Sequence, residues 1–452
     1  MRFLRFGLAA AVAVAGSFSV LTPASAETLA EALASAYANN PSLNAQRAAL
    51  RATDEGVPQA LSGYRPTISG AASAGINNVS GSGSAYPTSV SISVVQPIFT
   101  GFQTKNSVRA AETAVLAGRE SLRATEQSTL LSAVTAFMDL VQAQANLNLQ
   151  RQNVDFLRQQ LNAANDRLNV GEGTRTDVAQ TNARLAVGRS QYEAAVATLN
   201  TAVAVYEQVV GHRPQRLGSA KPVGTLLPNS LDAALAAAMG TNPSILAAAY
   251  NIDVATYNVN VLEGSLLPSA SVTGTLSHSD TGTSGPTAVT DSASLVARLS
   301  VPIYSAGLTD AKVRQAKEVL GQRRLEHDAA MAQIRQAVIS AWGTLAAARA
   351  QVEAAQAGIS AQTLALNGVI EQQKVGQSTT LDVLNAQQDL LTARLSSVTA
   401  QHDRVVASYS LLSAVGRLTA EKLSLKVQIY DEIDHYRQVR DKWHGLRTPD
   451  GR

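Results

Sequence analysis

The sequence predicts a membrane β-barrel joined to long antiparallel coiled-coil helices, built from one strand–strand–helical-hairpin unit that is written twice. Three observations predict it. An internal repeat at an offset of 202 to 205 residues organises the 452-residue chain. Four segments of about ten residues alternate apolar and polar side chains with period two. Two stretches, Gln103 to Asn169 and Leu308 to Lys374, contain no proline and are far longer than an ordinary helix.

The repeat sets the organisation. Leu29-Ala30-Glu31-Ala32-Leu33 through Asn40-Pro41-Ser42 returns as Leu231-Asp232-Ala233-Ala234-Leu235 through Asn242-Pro243-Ser244, and Pro66 returns as Pro268. Gln96-Pro97-Ile98-Phe99 pairs with Val301-Pro302-Ile303-Tyr304. Val170-Gly171, Thr174, Asp177-Val178 and Gly211 match Val375-Gly376, Thr379, Asp382-Val383 and Gly416. The first copy is expected over residues 27–228, the second over 229–420, and a tail over 421–452. Two copies are too few for a solenoid, so this is a pseudo-repeat within one fold. In each copy a helix comes first, with the stretch from Leu29 to about Gln59 read as one helix that ends before Pro66.

Strands are expected at about 67–77 and 90–99, and again at about 270–278 and 293–303. Ile68, Gly70, Ala72, Ala74 and Ile76 face one way, while Thr67, Ser69, Ser73 and Asn77 face the other. In the second copy Leu295, Ala297, Leu299 and Val301 oppose Ser294, Arg298 and Ser300. The polar faces are mostly small hydroxyls and glycines, as a water-filled lumen would have, and ten residues suit a tilted membrane crossing. Phe99 and Tyr304 sit at equivalent strand ends, where an interfacial aromatic girdle belongs. A small soluble sheet packed on a core is the alternative. If the strands do cross a membrane, four cannot close a barrel and open edges are not tolerated in lipid, so several copies must share one.

Helical hairpins are expected at about 103–212 and 308–417. Each long helix would reach roughly 100 Å at about 1.5 Å per residue. Each ends at a turn, Val170-Gly171-Glu172-Gly173-Thr174 or Val375-Gly376-Gln377-Ser378-Thr379, after which a second helix folds back. The returning helices carry seven-residue spacing: Val178, Leu185, Tyr192, Leu199 and Tyr206 in one copy, Leu384, Leu391, Val398, Val405 and Leu412 in the other. That period indicates coiled-coil packing of antiparallel helices.

The ends and the composition narrow the location. Arg2 and Arg5, the apolar run Phe6 to Leu21 and Ala24-Ser25-Ala26 form a secretory signal peptide over residues 1–26, so the mature chain is expected to start at Glu27. No comparable apolar run follows, so any membrane crossing must be made by strands. There is no cysteine, hence no disulfide and no lipid-modified N-terminal cysteine. A net charge of +3 with 16% charged residues indicates no nucleic-acid surface. Nothing points to an enzyme, a cofactor or a metal. None of the six histidines forms a His-x-x-x-His pair. His327, His402 and His435 lie far apart and read as solvated or packing residues.

Taken together, the Asn-Pro helix openings, the strands ending in Pro-Ile-Phe and Pro-Ile-Tyr, and the Val-Gly…Thr…Asp-Val turns resemble the duplicated pattern of the TolC family over nearly the whole mature chain. The tail Tyr430-Asp431…His435-Tyr436…Val439…Lys442-Trp443 is similar to the branch serving type I secretion. The resemblance implies a homotrimer sharing a 12-stranded barrel in the outer membrane, with a helical barrel crossing the periplasm and narrowing at the hairpin tips. It also implies a passive conduit for type I secretion of proteins or polymers, or for multidrug efflux. Its counterparts would be a periplasmic adaptor and an inner-membrane ABC exporter or proton-driven pump, the adaptor meeting the tips at Gly171, Glu172, Gly173, Gly376 and Gln377. Asp177 and Asp382 would form acidic rings at the periplasmic entrance. Three copies would bring six carboxylates round one axis, and one pair at about 8 Å repels by about 2 kcal/mol at an effective dielectric near 20. The family's second acid is replaced here by Asn385, so the entrance is less negative. Arg175 either offers compensating hydrogen bonds or lies exposed. Both aspartates are equally explained as helix N-terminal caps. The alternative function is a periplasmic adaptor with its own coiled coil; a polysaccharide hydrolase would need a paired acid site that is not evident.

Overall fold

The computed structural model describes residues 26–80, 83–283 and 288–451. The signal peptide expected at 1–26 lies, apart from Ala26, outside the described residues. Glu27 is already held firmly: its N–H donates to the Arg216 carbonyl at 2.7 Å, and the buried Tyr206 hydroxyl donates to its carboxylate at 2.6 Å.

The opening segment is three helices, α1 (Leu29–Asn39), α2 (Pro41–Asp54) and α3 (Gly56–Leu61), rather than the single helix expected to about Gln59. The break is made by Asn40. Its extended backbone (φ −61°, ψ 124°) ends α1, and its side-chain oxygen accepts from Ser42 and Leu43 N–H to start α2, with Pro41 at the first helical position. Strands β1 (Thr67–Ala74), β2 (Asn77–Val79) and β3 (Gly83–Phe99) follow, then α4 (Gln103–Asn169) and α5 (Arg175–Val210). The second copy gives α6 (Leu231–Thr241), α7 (Pro243–Gly264), β4 (Ser269–Thr283), β5 (Ala288–Ser300), α8 (Leu308–Lys374) and α9 (Thr380–Ala414). A short α10 (Asp434–Val439) lies in the tail.

The strands make one antiparallel sheet in the order β1-β3-β4-β5, with β2 on β3. Its outer end is longer than alternation alone indicates. β3 begins at Gly83 because Gly83 to Ala85 pair with Val79 to Asn77 of β2 and Ala85 to Ser89 with Thr283 to Ser279, so partner strands impose extension on a Gly/Ser/Thr segment with little pattern of its own. At the other end β5 stops at Ser300, and Val301 to Tyr304 are unpaired and exposed. Register places Ile68, Val94, Gly274 and Leu295 on one rung of one face, and Thr67, Val95, Thr273 and Val296 on a rung of the other. The first face is an apolar band ending outward at the His278–Asp291 pair (2.6 Å); the second is a carpet of hydroxyls, tied by Ser73–Ser89 (2.8 Å) and Ser277–Ser292 (2.7 Å) contacts. Every described side chain of β1 is exposed, and Leu295 retains 80% of its surface. A sheet that covers neither face nor edge has not found its packing within one chain.

The helices stand side by side in the order α5-α4-α9-α8, while α7 packs between α4 and α8. The main core gathers where α1, α2 and the tail meet the middle of α4 and the ends of α5 and α9, around Leu33, Leu130, Phe137, Tyr206 and Leu412. Both copies close this region with the same device. Asn40 Nδ2 donates to the Val209 carbonyl and Asn242 Nδ2 to the Ala414 carbonyl, each at 3.0 Å, while both side-chain oxygens cap the following helix. Gly211 (φ +94°) and Gly416 (φ +85°) turn the chain out of the hairpins in the left-handed region open to glycine. No helix among the described residues is long and apolar enough to cross a membrane.

The tail runs back along α2 and α4 toward the sheet. The Ala420 N–H donates to Glu126 (2.7 Å), His435 meets Asp54 (2.9 Å), and Arg65 donates to the Lys442 carbonyl (2.8 Å) while lying over the Trp443 ring. Burial pushes the Asp54 carboxyl above the usual carboxylate range, against the pull of the His435 hydrogen bond.

Candidate functional site

The hairpin tips stand at the far ends of two helices of 67 residues, roughly 100 Å from the sheet. Both tips are built the same way. After α4 the N–H of Gly171 returns to the Leu168 carbonyl (3.1 Å) and that of Glu172 to the Arg167 carbonyl (2.9 Å). After α8, Gly376 returns to Gln373 (3.0 Å) and Gln377 to Gln372 (2.9 Å). This paired closure needs a left-handed residue, which Gly171 (φ +82°) and Gly376 (φ +75°) supply. Gly173 is required for space: a Cβ there would sit 3.1 Å from the Leu168 nitrogen. Glu172 and Gln377 are exposed at the apex of each turn.

Thr174 and Thr379 then open α5 and α9 with reciprocal caps. Asp177 Oδ2 accepts from the Thr174 N–H (3.1 Å) and hydroxyl (2.6 Å), and the Asp177 N–H donates to Thr174 Oγ1 (3.1 Å). Asp382 does the same with Thr379, at 2.8, 2.7 and 3.2 Å. The hydrogen bonds from the Thr379 side chain and backbone hold the Asp382 carboxyl below its ordinary range. In each aspartate one oxygen serves the cap, and Oδ1 makes no bond among the described residues. The cap is thus made by one oxygen of each carboxylate.

Asn385 lies one turn past Asp382 and accepts from Arg184 Nη2 at 3.0 Å, joining α5 of the first hairpin to α9 of the second. Arg175, at the start of α5, is exposed and makes no bond among the described residues. The arginine that bridges the hairpins is thus Arg184, which sequence reasoning missed. Finding it requires knowing that α5 lies against α9, and no local signal in the sequence carries that. Behind the tips, Leu157, Leu185 and Leu384 form one small core and Leu366, Val383 and Leu390 another, with Phe156 touching both. Farther along, His402 links the hairpins a second time, with Nε2 2.8 Å from Asp139 and Nδ1 2.9 Å from Asp403.

The two ends of the molecule thus suit a conduit. One end is a sheet with an apolar and a hydroxyl face; the other is a pair of polar, tightly turned tips, each capped by an aspartate. Among the described residues, no cluster of three or more potential metal ligands is present.

Comparison with known proteins identifies the family to which the chain belongs. The sequence model of the family described as outer membrane efflux protein matches residues 32–212 and 234–417, once per copy of the repeat. The chain is 46% identical to the outer membrane efflux protein BepC of Brucella suis biovar 1 (strain 1330), over 98% of this chain and 97% of that protein. It is 27% identical to the alkaline protease secretion protein AprF of Pseudomonas aeruginosa, over 74% and 70% of the two chains. Its fold superposes on the CmeC outer membrane channel of Campylobacter jejuni with a TM-score of 0.79 at 16% identity, covering 91% of this chain and 89% of that one. The family model and the superposed structure are both of outer-membrane proteins. The chain belongs to the outer membrane efflux protein family, the TolC-type channels, as an outer-membrane channel subunit for efflux or type I secretion with its helical part in the periplasm.

Proposed function

We propose that three copies of this chain close their sheets into one 12-stranded barrel and form a passive conduit whose periplasmic entrance is the ring of hairpin tips. The observation that carries this is the sheet itself. It has two unpaired edges, an apolar face largely open to solvent and a hydroxyl face on its other side. Lipid does not tolerate unpaired backbone edges, so closure with further copies is the arrangement that satisfies them. Asp177 and Asp382 line the entrance through their free oxygens, and Asn385, held by Arg184, takes the place of a further acid. The Gly171-Glu172-Gly173 and Gly376-Gln377 turns receive the hairpin of a periplasmic adaptor, where small residues permit close backbone approach. An inner-membrane ABC exporter or proton-driven pump supplies the energy. The relative named as an efflux protein favours efflux; the tail pattern and the relative named for protease secretion favour type I secretion.

Mature protein extracted from outer membranes should begin at Glu27 and have three times the subunit mass in detergent. A monomer in both membrane extract and detergent would end the channel proposal. Replacing Asp177 and Asp382 together with asparagine should lower cation selectivity and divalent-cation block in planar bilayers while leaving the trimer intact. If conductance is unchanged and only stability falls, the two residues are caps and not part of a gate. Deleting the gene separates the substrate classes: loss of secreted polymer with unchanged drug tolerance points to secretion, and the reverse to efflux.

A further inference from the structure

The tail ends in a closed turn that holds two large apolar side chains in the open. Val439 is fully buried, and the residues after Lys442 are exposed. The Lys442 N–H returns to the Val439 carbonyl (3.0 Å), and the Lys442 ammonium donates to the Arg447 carbonyl. Between them Gly445 turns the chain in the left-handed region (φ +109°). Trp443 is 66% exposed and Leu446 wholly so. The turn is nonetheless fastened to the body of the protein. The Arg65 guanidinium donates to the Lys442 carbonyl at 2.8 Å and lies 4.7 Å from the centre of the Trp443 ring. A tryptophan held in a fixed place with most of its surface open is a built feature without its counterpart.

Arg65 also fixes the height of the turn. It stands two residues before Thr67, where β1 begins, and the neighbouring Tyr64 carbonyl accepts from the Gln96 side chain of β3 at 3.0 Å. The turn therefore lies at the end of the sheet from which the helices depart. At that end Tyr64, Phe102, Leu266 and Leu267 are also exposed, and Phe102 meets Phe99 edge-on at 5.1 Å. Trp443 and Leu446 extend this rim, where the apolar face of the sheet gives way to periplasmic helices. Tryptophan and tyrosine concentrate at that level of a membrane, with the ring among acyl chains and the polar edge among headgroups. Arginine and lysine reach from the same level to phosphate.

We infer that residues 442–447 form an interfacial anchor. Trp443 and Leu446 enter the periplasmic leaflet of the outer membrane just below its headgroups, and Arg447, with the spare donors of Arg65 and Lys442, meets phospholipid phosphates. This inference rests on the sheet being the part that crosses the membrane, and it adds the tail to what the membrane holds. The chemistry favours lipid over a second protein surface. Between 440 and 447, Arg440, Lys442 and Arg447 stand against the single carboxylate of Asp441. The helix flanks that lack a neighbour within the chain carry small residues instead, such as Ala197 on α5 and Ala347 on α8. A large ring and a leucine set among cations suits the graded polarity of a headgroup layer.

The chain has two tryptophans, and Trp342 lies about 50 Å along α8 from its sheet end. The full-length protein carrying Trp342→Phe therefore reports Trp443 alone. In vesicles of phosphatidylethanolamine and phosphatidylglycerol, its emission should be strongly quenched by lipid brominated near the headgroup and much less by lipid brominated near the chain end. Trp443→Phe, which leaves Trp342, should be quenched by neither. Arg447→Gln should weaken the quenching of Trp443, and unchanged quenching would strike the phosphate contact. Leu295→Trp, in a chain that also carries Trp342→Phe and Trp443→Phe, reads the apolar face of the sheet. If Leu295→Trp is quenched and Trp443 is not, Trp443 lies in water or against a neighbouring subunit, which overturns the anchor and leaves the membrane sheet standing. If neither is quenched, both readings fall. Should Trp342→Phe fail to assemble, Trp443→Cys carrying a nitroxide reads the same depth in a chain with no other cysteine. Its accessibility to oxygen should then exceed that to a water-soluble nickel chelate, and the reverse order, or low access to both, overturns the anchor.

Discussion

The two copies of the repeat carry the same caps and turns yet differ sharply in how much they bury. Helix α4 buries 20 of its 67 residues, and its counterpart α8 buries five of 67. The return helices invert the order: α5 buries five residues and α9 buries 13. Local sequence does not account for this, since the heptads are equivalent. Position does. In the order α5-α4-α9-α8, the inner pair has neighbours on both sides and the outer pair has one bare flank each. The inner seam is specific, with His402 against Asp139 (2.8 Å) and Gln142 donating to Thr399 (3.0 Å). At the repeat-related positions on the bare flanks stand Thr344 and Ala347 on α8, and Ala197 and Ala194 on α5. A seam made within the chain is fixed by polar pairs; the flanks offer small side chains that let another helix approach closely.

The most damaging way to break this comparison is to roughen a flank. Ala347→Arg places a long cation on the exposed side of α8 and should abolish the trimer in detergent while leaving the helical content of the monomer unchanged. Gln142→Ala, on the inner seam, should cost roughly 0.5–1.5 kcal/mol, the net worth of one hydrogen bond, and leave the trimer whole. Analytical ultracentrifugation beside circular dichroism checks both. A normal trimer from Ala347→Arg would mean that the α8 flank is not a seam.

The hairpin exits sharpen the comparison at a smaller scale. Gly211→Ala and Gly416→Ala each force a left-handed alanine, at about 1–2 kcal/mol. In Gly416→Ala the new Cβ would also lie 2.7 Å from the Asn242 Cα, a backbone atom, whereas in Gly211→Ala the nearest atom is a side-chain carbon at 3.1 Å. Overpacking adds about 1–3 kcal/mol. Thermal denaturation should therefore rank Gly416→Ala clearly below Gly211→Ala, and an equal loss would show that the backbone around Asn242 yields.

The tips give a subtler contrast, read by pH. The folded carboxyl of Asp382 lies below its ordinary value, so its cap contributes fully above the unfolded-state range and is lost as pH falls through the lower folded value. Amide protection at Asp382, referred to an Asp382→Asn control, should be constant near neutrality and decline only in acid. A decline already between pH 6 and pH 7, about two to three units above the reference for Asp, would assign it to another group.

Much of this architecture is legible in the sequence because it is written twice. Asn40-Pro41 and Asn242-Pro243 announce helix openings, Gly171 and Gly376 announce turns, and the alternating hydroxyls announce two-faced strands. The break between α1 and α2 was missed because the apolar period continues across Asn40, although the Asn-Pro signal stood there. The outer part of β3, Gly83 to Ser89, was missed because it extends only through its partners on β1, β2 and β4. The role of Asp177 and Asp382 was half legible: sequence offered cap or gate, and the hydrogen bonds to Thr174 and Thr379 show the cap. The Arg184–Asn385 bridge was not legible, since it depends on how two hairpins lie side by side.

The smallest effect concerns charge on the hydroxyl face of the sheet, where one charged residue distinguishes the two copies. On the hydroxyl face of the described strands Arg298 is the only charged side chain, and its counterpart in the first copy is Ser93. Three copies would therefore set three guanidinium groups round the lumen at one height, opposite in sign to the carboxylates proposed for the entrance. Twelve strands about 4.8 Å apart and tilted by about 40° enclose a cylinder roughly 24 Å across, so each charge stands about 10 Å from the axis. That is close to the Debye length of about 8 Å at physiological ionic strength, and it lengthens to about 30 Å in 10 mM salt. Arg298→Ser should thus leave assembly and conductance in high salt unchanged, yet shift the reversal potential toward cations in dilute salt. Asp177→Asn with Asp382→Asn should shift it the other way. If Arg298→Ser moves selectivity as much in concentrated as in dilute salt, the barrel at that height is far narrower than 12 strands allow, and the shared-barrel geometry must be redrawn.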